Sequence, residues 1–394
     1  MKRLISTLAC TVALGFSALT AHAVEPVRIG LGIAKTGQFA GPAAGPLAAY
    51  QMWIDQINAK GGLDVKGVKR PVELVMYDDQ SDTAKTVSIY EKLITDDKVD
   101  ILLSPWGSHS HFALVGVLER YQFPMVGSTA ASMQIRSLKA KNIWFPTSAI
   151  PDQQQAALAK FLKTQGVKTV AINTVQVGYP QENRRELLKA LKAEGIDVVL
   201  DSEYAAGVKD MTATISAVKR ANPDAVVNMS YPPDAVLYMK TAREQGLTVP
   251  FQFLLVGPTA AFFKPLVGED NLNNIVTMGH WSPEKADWPG AREFFDTYKE
   301  RTGEDPDYLD TVLAYVSCQI IEEAVAKSGL DKDAFRQAVA SMTFSTIDGP
   351  IRFDGVQNVA TPSMFLQFQE GKAQIVYPPE VATAAFVPKK GWAQ

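Results

Sequence analysis

The chain has 394 residues, 46% of them hydrophobic and 21% charged, with 39 basic against 42 acidic side chains and only two cysteines. That length allows two to three ordinary domains with a large core, and two cysteines cannot make a disulfide framework. The near balance of charge, spread without runs, removes the electrostatic term that nucleic-acid binding or adhesion to anionic headgroups requires.

At the N-terminus Lys2 and Arg3 precede an apolar run from Leu4 to Leu19 that ends in Ala21-His22-Ala23, the charged, apolar and small-residue regions of a secretory leader. Residues 1 to 23 read as a cleaved signal with mature Val24. A membrane anchor fits less well, because the run is short, broken by Ser6, Thr7 and Thr11, and followed by no stop-transfer pattern. Losing Lys2 and Arg3 leaves 37 basic residues and a net charge near −5. Cys10 leaves with the signal; Cys318, beside Val316, Ile320 and Ile321, reads as an inert cysteine of a buried helix.

From Val27 strands and helices alternate. Val27 to Ile33 is an apolar strand, and Thr36 to Gly45, rich in glycine, reads as a loop. Leu47, Tyr50, Ile54 and Ile57 recur at helical spacing up to Lys60-Gly61-Gly62, an amphipathic helix with a glycine stop. Val72 to Tyr77 is a strand, Asp78 to Asp82 a polar connection, and Thr83 to Thr95 a helix that Asp82 can cap. The stretch Ser104 to Ser132 follows a strand at Val99 to Leu103; it holds a loop and helix (Trp106 to Tyr121), a short strand (Phe123 to Val126) and a hydroxyl-rich turn. Two strand ends and a helix N-terminus there open onto free amides and hydroxyls, a geometry suited to an anion, most simply a carboxylate. The crossover rule folds this order into a doubly wound parallel sheet.

After Trp144 to Pro151 a second series begins: helices at Asp152 to Thr164, Gln181 to Ala193, Met211 to Arg220 and Pro233 to Gln245, with strands at Thr169 to Asn173, Val198 to Ser202, Ala225 to Ser230 and Phe251 to Gly257. Asn274 to Trp281 is a strand, and helices at Ala291 to Thr302, Leu309 to Ser328 and Asp331 to Met342 have no strand between them, so they must cover a sheet already built. A strand at Ile351 to Phe353 and a hairpin, Met364 to Gln369 with Ala373 to Tyr377, close the chain. Two sheets that the chain leaves and revisits imply hinged lobes around a cleft.

Catalytic patterns are wanting. No phosphate loop and no G-x-S-x-G occurs, and the vicinal Asp78 and Asp79 point apart from a strand-end loop, a solvated connection being the better reading. His109 and His111 have no Cys or nearby acid to complete a metal set and read as loop histidines lining a pocket or facing solvent. Phe39, Trp106, Tyr179, Tyr231 and Trp281 all follow strand ends, where doubly wound folds bind ligand; Tyr50 and Tyr90, at helical spacing, belong to the core.

The sequence resembles the periplasmic solute-binding proteins of branched-chain amino-acid and amide ABC transporters, the leucine-binding-protein-like family. The likeness is carried by TGQFAGPAAGPLAAY and DQINAKGG, VMYDDQSDTAKTVSIYEKLI, VDILLSPWGS, FPMVGSTAAS and AREQGL, and runs through essentially all of Val24 to Gln394. It implies an α/β, type I periplasmic-binding fold: two doubly wound parallel-sheet lobes joined by a three-crossing hinge near 147 to 150, 279 to 283 and 353 to 362. Lobe 1 would be 24–148 plus 282–355, and lobe 2 would be 149–281 plus 356–394. By the same resemblance Ser108, Thr129, Ala130 and Ala131 bind a ligand carboxylate, and Tyr179 and Tyr231 are aromatic lids. Two departures stand out: Phe39 occurs where a Tyr is expected, and Thr259 where an acid would grip an α-ammonium, which favours a carboxylate or amide-like solute with an apolar or aromatic body.

The function so implied is the extracytoplasmic binding component of an ABC importer, acting by hinge closure on a branched-chain amino acid-like or aromatic acid. It would be a periplasmic monomer that meets an inner-membrane ABC permease, with no cofactor, metal, nucleic acid, membrane insertion or enzymatic role. A ligand-sensing domain for a membrane receptor is the rival within the same fold; a secreted hydrolase using Asp78, Asp79 or His280 is the rival outside it.

Overall fold

The computed structural model describes residues 25–392; the expected leader, residues 1 to 23, and Val24 lie outside them. The first half begins with β1 (Val27–Ile33), α1 (Ala40–Ala59), a hairpin of β2 (Leu63–Val65) and β3 (Val68–Arg70), β4 (Val72–Asp78) and α2 (Thr83–Thr95). Then come β5 (Ile101–Leu102), α3 (Ser108–Tyr121), β6 (Met125–Val126), α4 (Gln134–Ser137) and β7 (Ile143–Trp144). β1 lies between β4 and β5, parallel to both, and β6 runs parallel to β7. Tyr50 and Tyr90 are fully buried, as their spacing predicts, and Asp82 caps α2 by accepting from the Ala84 and Lys85 amides.

Three local expectations are corrected. The segment read as a loop to Gly45 is helical from Ala40: Pro42 falls in the first turn, where its missing N–H is not needed, and a Cβ on Gly45 would lie 2.3 Å from Thr311 Oγ1. That glycine serves a close helix contact rather than a turn. The β2–β3 hairpin is absent from the sequence reading; Lys66 and Gly67 both take positive φ at its tip, the pattern of a type I′ turn. Asp79 is buried, not solvated, and accepts from the Ser81 amide and the Thr86 hydroxyl. Asp78 turns the other way, to the amides of Lys35 and Thr36.

The second half runs α5 (Pro151–Thr164), β8 (Thr169–Val175), α6 (Gly178–Glu194), β9 (Asp197–Tyr204), α7 (Thr212–Ala221), β10 (Ala225–Met229), α8 (Pro232–Glu244) and β11 (Phe251–Leu254). Two short helices, α9 (Phe263–Val267) and α10 (Glu269–Leu272), lead to β12 (Val276–Gly279). β10 and β11 are buried throughout, as strands covered on both faces must be. Their apolar runs made this sheet readable.

Next follow α11 (Ala291–Thr302), α12 (Asp310–Ser328), α13 (Lys332–Ser341), β13 (Thr343–Thr346), β14 (Gly349–Asp354), β15 (Gln357–Asn358), β16 (Met364–Gln369) and β17 (Lys372–Tyr377). α12 packs along α1, so these helices cover the first sheet, and Cys318 is buried there. β13 is a strand the sequence reading lacks; it pairs with β14, and β14 with β15. Phe145, just past β7, bridges to Gln357. β16 and β17 instead join the second sheet, antiparallel beyond β12, giving the order β17-β16-β12-β11-β10-β8-β9. The chain thus passes between the sheets three times.

Candidate ligand-binding cleft

In a doubly wound sheet the ligand crevice opens where successive connections leave in opposite directions. In the first sheet that point lies between β1 and β5, whose outgoing loops carry Phe39 and Trp106. In the second it lies between β8 and β10, whose loops lead to Tyr179 and Tyr231 at the starts of α6 and α8. Phe39 gathers an aromatic wall, with ring centroids 5.1 Å from Trp106 and 4.8 Å from His109.

Beside that wall, Gly107 (φ 86°) precedes α3 without a side-chain cap, so the first amides of a 14-residue helix face the crevice. The Gly107 amide donates to Thr129 Oγ1 at 2.7 Å, and the Ala131 amide donates to Ser108 Oγ at 3.0 Å. Ser108, Thr129 and Ala131 therefore form one tied turn, with the Ala130 side chain fully buried beneath it.

His111 buckles the turn from inside. Both histidines sit on α3, not in a loop as expected, and His111 is fully buried. Its Nε2 accepts the Ser128 amide at 3.1 Å, which makes Nδ1 the protonated nitrogen, donating to the Gly107 carbonyl at 2.8 Å. Burial holds its pKa down at about 4. With both nitrogens engaged it has none to offer a metal. Below, Tyr50, Ser104 and Ser128 share a buried hydroxyl network.

Two acids missing from the sequence reading face this space. Asp310, the first residue of α12, accepts the Trp106 indole N–H at 2.9 Å. Asp307 caps the same helix end by accepting the Leu309 and Thr311 amides. Loss of hydration and then the Asp307 charge push the Asp310 carboxyl up to about 8, although its side chain keeps some access to solvent. Glu182, in the first turns of α6, accepts from the Met133 amide at 3.3 Å across the crevice.

Although the Tyr231 ring is exposed at the cleft, lost hydration, then Asp310, Asp234 and Glu182, push its hydroxyl up to about 12. Tyr179 is raised by burial, then by Tyr231, Glu182 and Asp310. Two tyrosines and two acids from both halves therefore share one space, and no basic side chain pairs with Asp310 or Glu182 among the described residues. Asp310, an acid in the first turn of a helix, ordinarily reads as a dipole partner, and Glu182, one turn into α6, as a solvated helix-surface charge, so the sequence carried no distinguishing signal for either.

Thr259 is buried in the turn after β11; a Cβ on neighbouring Gly257 would lie 3.2 Å from the Pro232 backbone, which sets this turn beside Tyr231. Trp281 stands apart, fully buried and packed against Phe294, Tyr308 and Phe295.

A family model described as periplasmic binding protein matches residues 26–373. A leucine-, isoleucine-, valine-, threonine- and alanine-binding protein of Pseudomonas aeruginosa is 26% identical over 366 residues, covering 90% of this chain and 92% of that one. Leu/Ile/Val-binding protein homolog 7 of Brucella suis is 26% identical over 397 residues, covering 94% and 97%. Among solved structures, a branched-chain amino acid transporter substrate-binding protein of Streptococcus pneumoniae in complex with isoleucine matches with TM-score 0.76 and 21% identity over 90% of this chain and 100% of that one. A solute-binding protein of an R. palustris ABC transporter in complex with benzoate matches with TM-score 0.73 and 19% identity over 93% and 99%. Among the described residues no helix is long and apolar enough to cross a membrane.

Proposed function

Because the chain belongs to the periplasmic binding protein family, we propose that it is the extracytoplasmic substrate-binding component of an ABC importer for a small carboxylate-bearing solute. Residues 1 to 23 direct export, and a permease in the inner membrane receives the loaded protein. Lobe 1, 24–148 plus 282–355, and lobe 2, 149–281 plus 356–394, close about the three passes of chain, with burial of the ligand between them as the driving difference between open and closed forms.

The observation that carries this reading is the uncapped start of α3 beside the tied Ser108–Ala131 turn, opposite Tyr179 and Tyr231. Open helix amides favour a carboxylate, and the flanking rings favour an apolar or aromatic body. Isoleucine and benzoate, held by two of the structural neighbours, share those two features. The hydrolase reading loses the side chains it named: Asp78 and Asp79 are spent on backbone amides, and His280 is fully buried, its pKa held near 3 by burial.

Mass spectrometry of solute released from protein purified without refolding, before and after incubation, tests both points. A small carboxylate recovered unchanged is expected. Ser108→Ala with Thr129→Ala should lower its affinity without unfolding the protein, and unchanged affinity would count against the carboxylate position.

A further inference from the structure

We propose that Glu182 latches the cleft shut: its carboxylate, carried on lobe 2, accepts hydrogen bonds only from lobe 1, and so stabilises the closed form whatever solute lies inside. This rests on the two-lobe reading above and adds to it a positioning residue that acts on closure rather than on the solute.

The carboxylate has no partner at home. Glu182 lies one turn into α6 and is half-buried; its Oε1 accepts the Ser132 hydroxyl at 3.4 Å and its Oε2 the Met133 amide at 3.3 Å. No cation pairs with it among the described residues: Arg184 goes to Asp201 and Glu203, and Lys189 to Glu186. Both of its hydrogen bonds are therefore lost when the lobes part. Bonds to an ionised acceptor are among the stronger ones, and here they contribute to the closed form alone.

The receiving segment is held firmly at its far end. Arg136 of α4 directs Nε and Nη2 to the Asp152 carboxylate at 3.0 and 2.8 Å, and Nη1 to the Gln357 side chain. Asp152 follows the first pass of chain between the lobes and Gln357 belongs to the third, so these contacts sit at the pivot, where parting lobes move least. Glu182 meets the same segment across the crevice, three residues on from Tyr179, where they move more. Met133 is also two residues beyond Ala131, whose amide is tied to Ser108, so the latch bears on the turn assigned to the solute carboxylate.

A latch needs hydrogen-bonding atoms, whereas a group that attracts the solute needs its charge, and the neutral isostere separates the two. Pulsed electron paramagnetic resonance on the full mature chain, labelled at the exposed positions Ala84→Cys of α2 and Ala193→Cys of α6, reads the lobe separation; Cys318 is buried and stays unlabelled. Alone and with isoleucine or benzoate added, wild type should show a short-distance, closed fraction. E182A should lower the ratio of closed to open about 10-fold in each condition. E182Q, which can still accept from the Met133 amide and donate to the Ser132 hydroxyl, should recover most of it. Should E182A fail to fold, S132A removes one of the two bonds from the opposite side and should lower the ratio in the same sense. An unchanged ratio in E182A, or in S132A where it stands in, or E182Q as open as E182A, overturns the latch and leaves the binding reading standing. A wild-type chain with no short-distance fraction in any condition overturns the latch and the closure reading together.

Discussion

The indole N–H of Trp106 donates to Asp310 Oδ2 at 2.9 Å across 204 residues of sequence, tying the loop that leaves β5 to the first turn of α12. A hydrogen bond to a carboxylate contributes more than one between neutral groups. Trp106→Phe keeps a ring against Phe39 and deletes the donor. Affinity for the co-purified solute should fall by roughly 10- to 100-fold, about 1.5–3 kcal/mol, with little change in melting temperature. Calorimetry showing full affinity would mean that the bond does not shape the cleft for binding.

The same carboxyl makes stability depend on pH in a defined sense. Its folded-state pKa is raised to about 8 from an ordinary value of 3.8 by lost hydration and by Asp307. Between those limits the ligand-free folded chain holds a proton that the unfolded chain has released, so stability is present at low pH and is lost as pH rises toward 8. Asp310→Asn removes this dependence. Its melting temperature relative to wild type should therefore increase between pH 5 and pH 8; a constant difference would show that Asp310 does not titrate in that window.

His111 acts in the opposite direction. Burial lowers its pKa from 6.5 to about 4, so the unfolded chain takes up a proton first and stability is lost as pH falls from about 6.5 toward 4, by about 3 kcal/mol in full. Buried His280 adds to the loss in the same sense. His111→Gln should be destabilised by roughly 2 kcal/mol at pH 7, because the Gly107 carbonyl and Ser128 amide lose their partner. Urea unfolding of the variant should also lose less between pH 6.5 and pH 4.5 than wild type does. Parallel losses would assign the acid sensitivity elsewhere.

Much of this architecture is legible from local pattern, and its failures have identifiable physical causes. Buried strands such as β10 are continuous apolar runs, and α2 and α11 are bounded by residues that also delimit them in the structure. The β2–β3 strands have three residues each and are partly polar, too short for periodicity to register. The positions of Phe39, Trp106, Tyr179 and Tyr231 in the loops after β1, β5, β8 and β10 follow from strand ends alone. Trp281 meets the same criterion yet enters a core formed with Phe294 and Tyr308, because which helix packs over a strand end is a tertiary fact. Asp310 is the converse case: its pairing with Trp106 depends on α12 returning to cover the first sheet.

Two glycines in helices test whether close approach or chain flexibility governs their presence. A Cβ at Gly45 of α1 would meet Thr311 Oγ1 at 2.3 Å on the packed face with α12, whereas one at Gly116 of α3 would meet nothing within 4 Å. Alanine is favoured over glycine within a helix by up to about 1 kcal/mol, but forcing atoms into a packed contact costs about 1–3 kcal/mol. Gly116→Ala should therefore raise the unfolding free energy by a few tenths to about 1 kcal/mol. Gly45→Ala should lower it, since the Thr311 hydroxyl is itself held by Asp307 and cannot swing away freely. Because Asp307 also braces the helix end that carries Asp310, Gly45→Ala should weaken ligand binding as well. Equal stabilisation by both substitutions in urea titrations would show that the α1–α12 contact yields, and that Gly45 is not required for the approach.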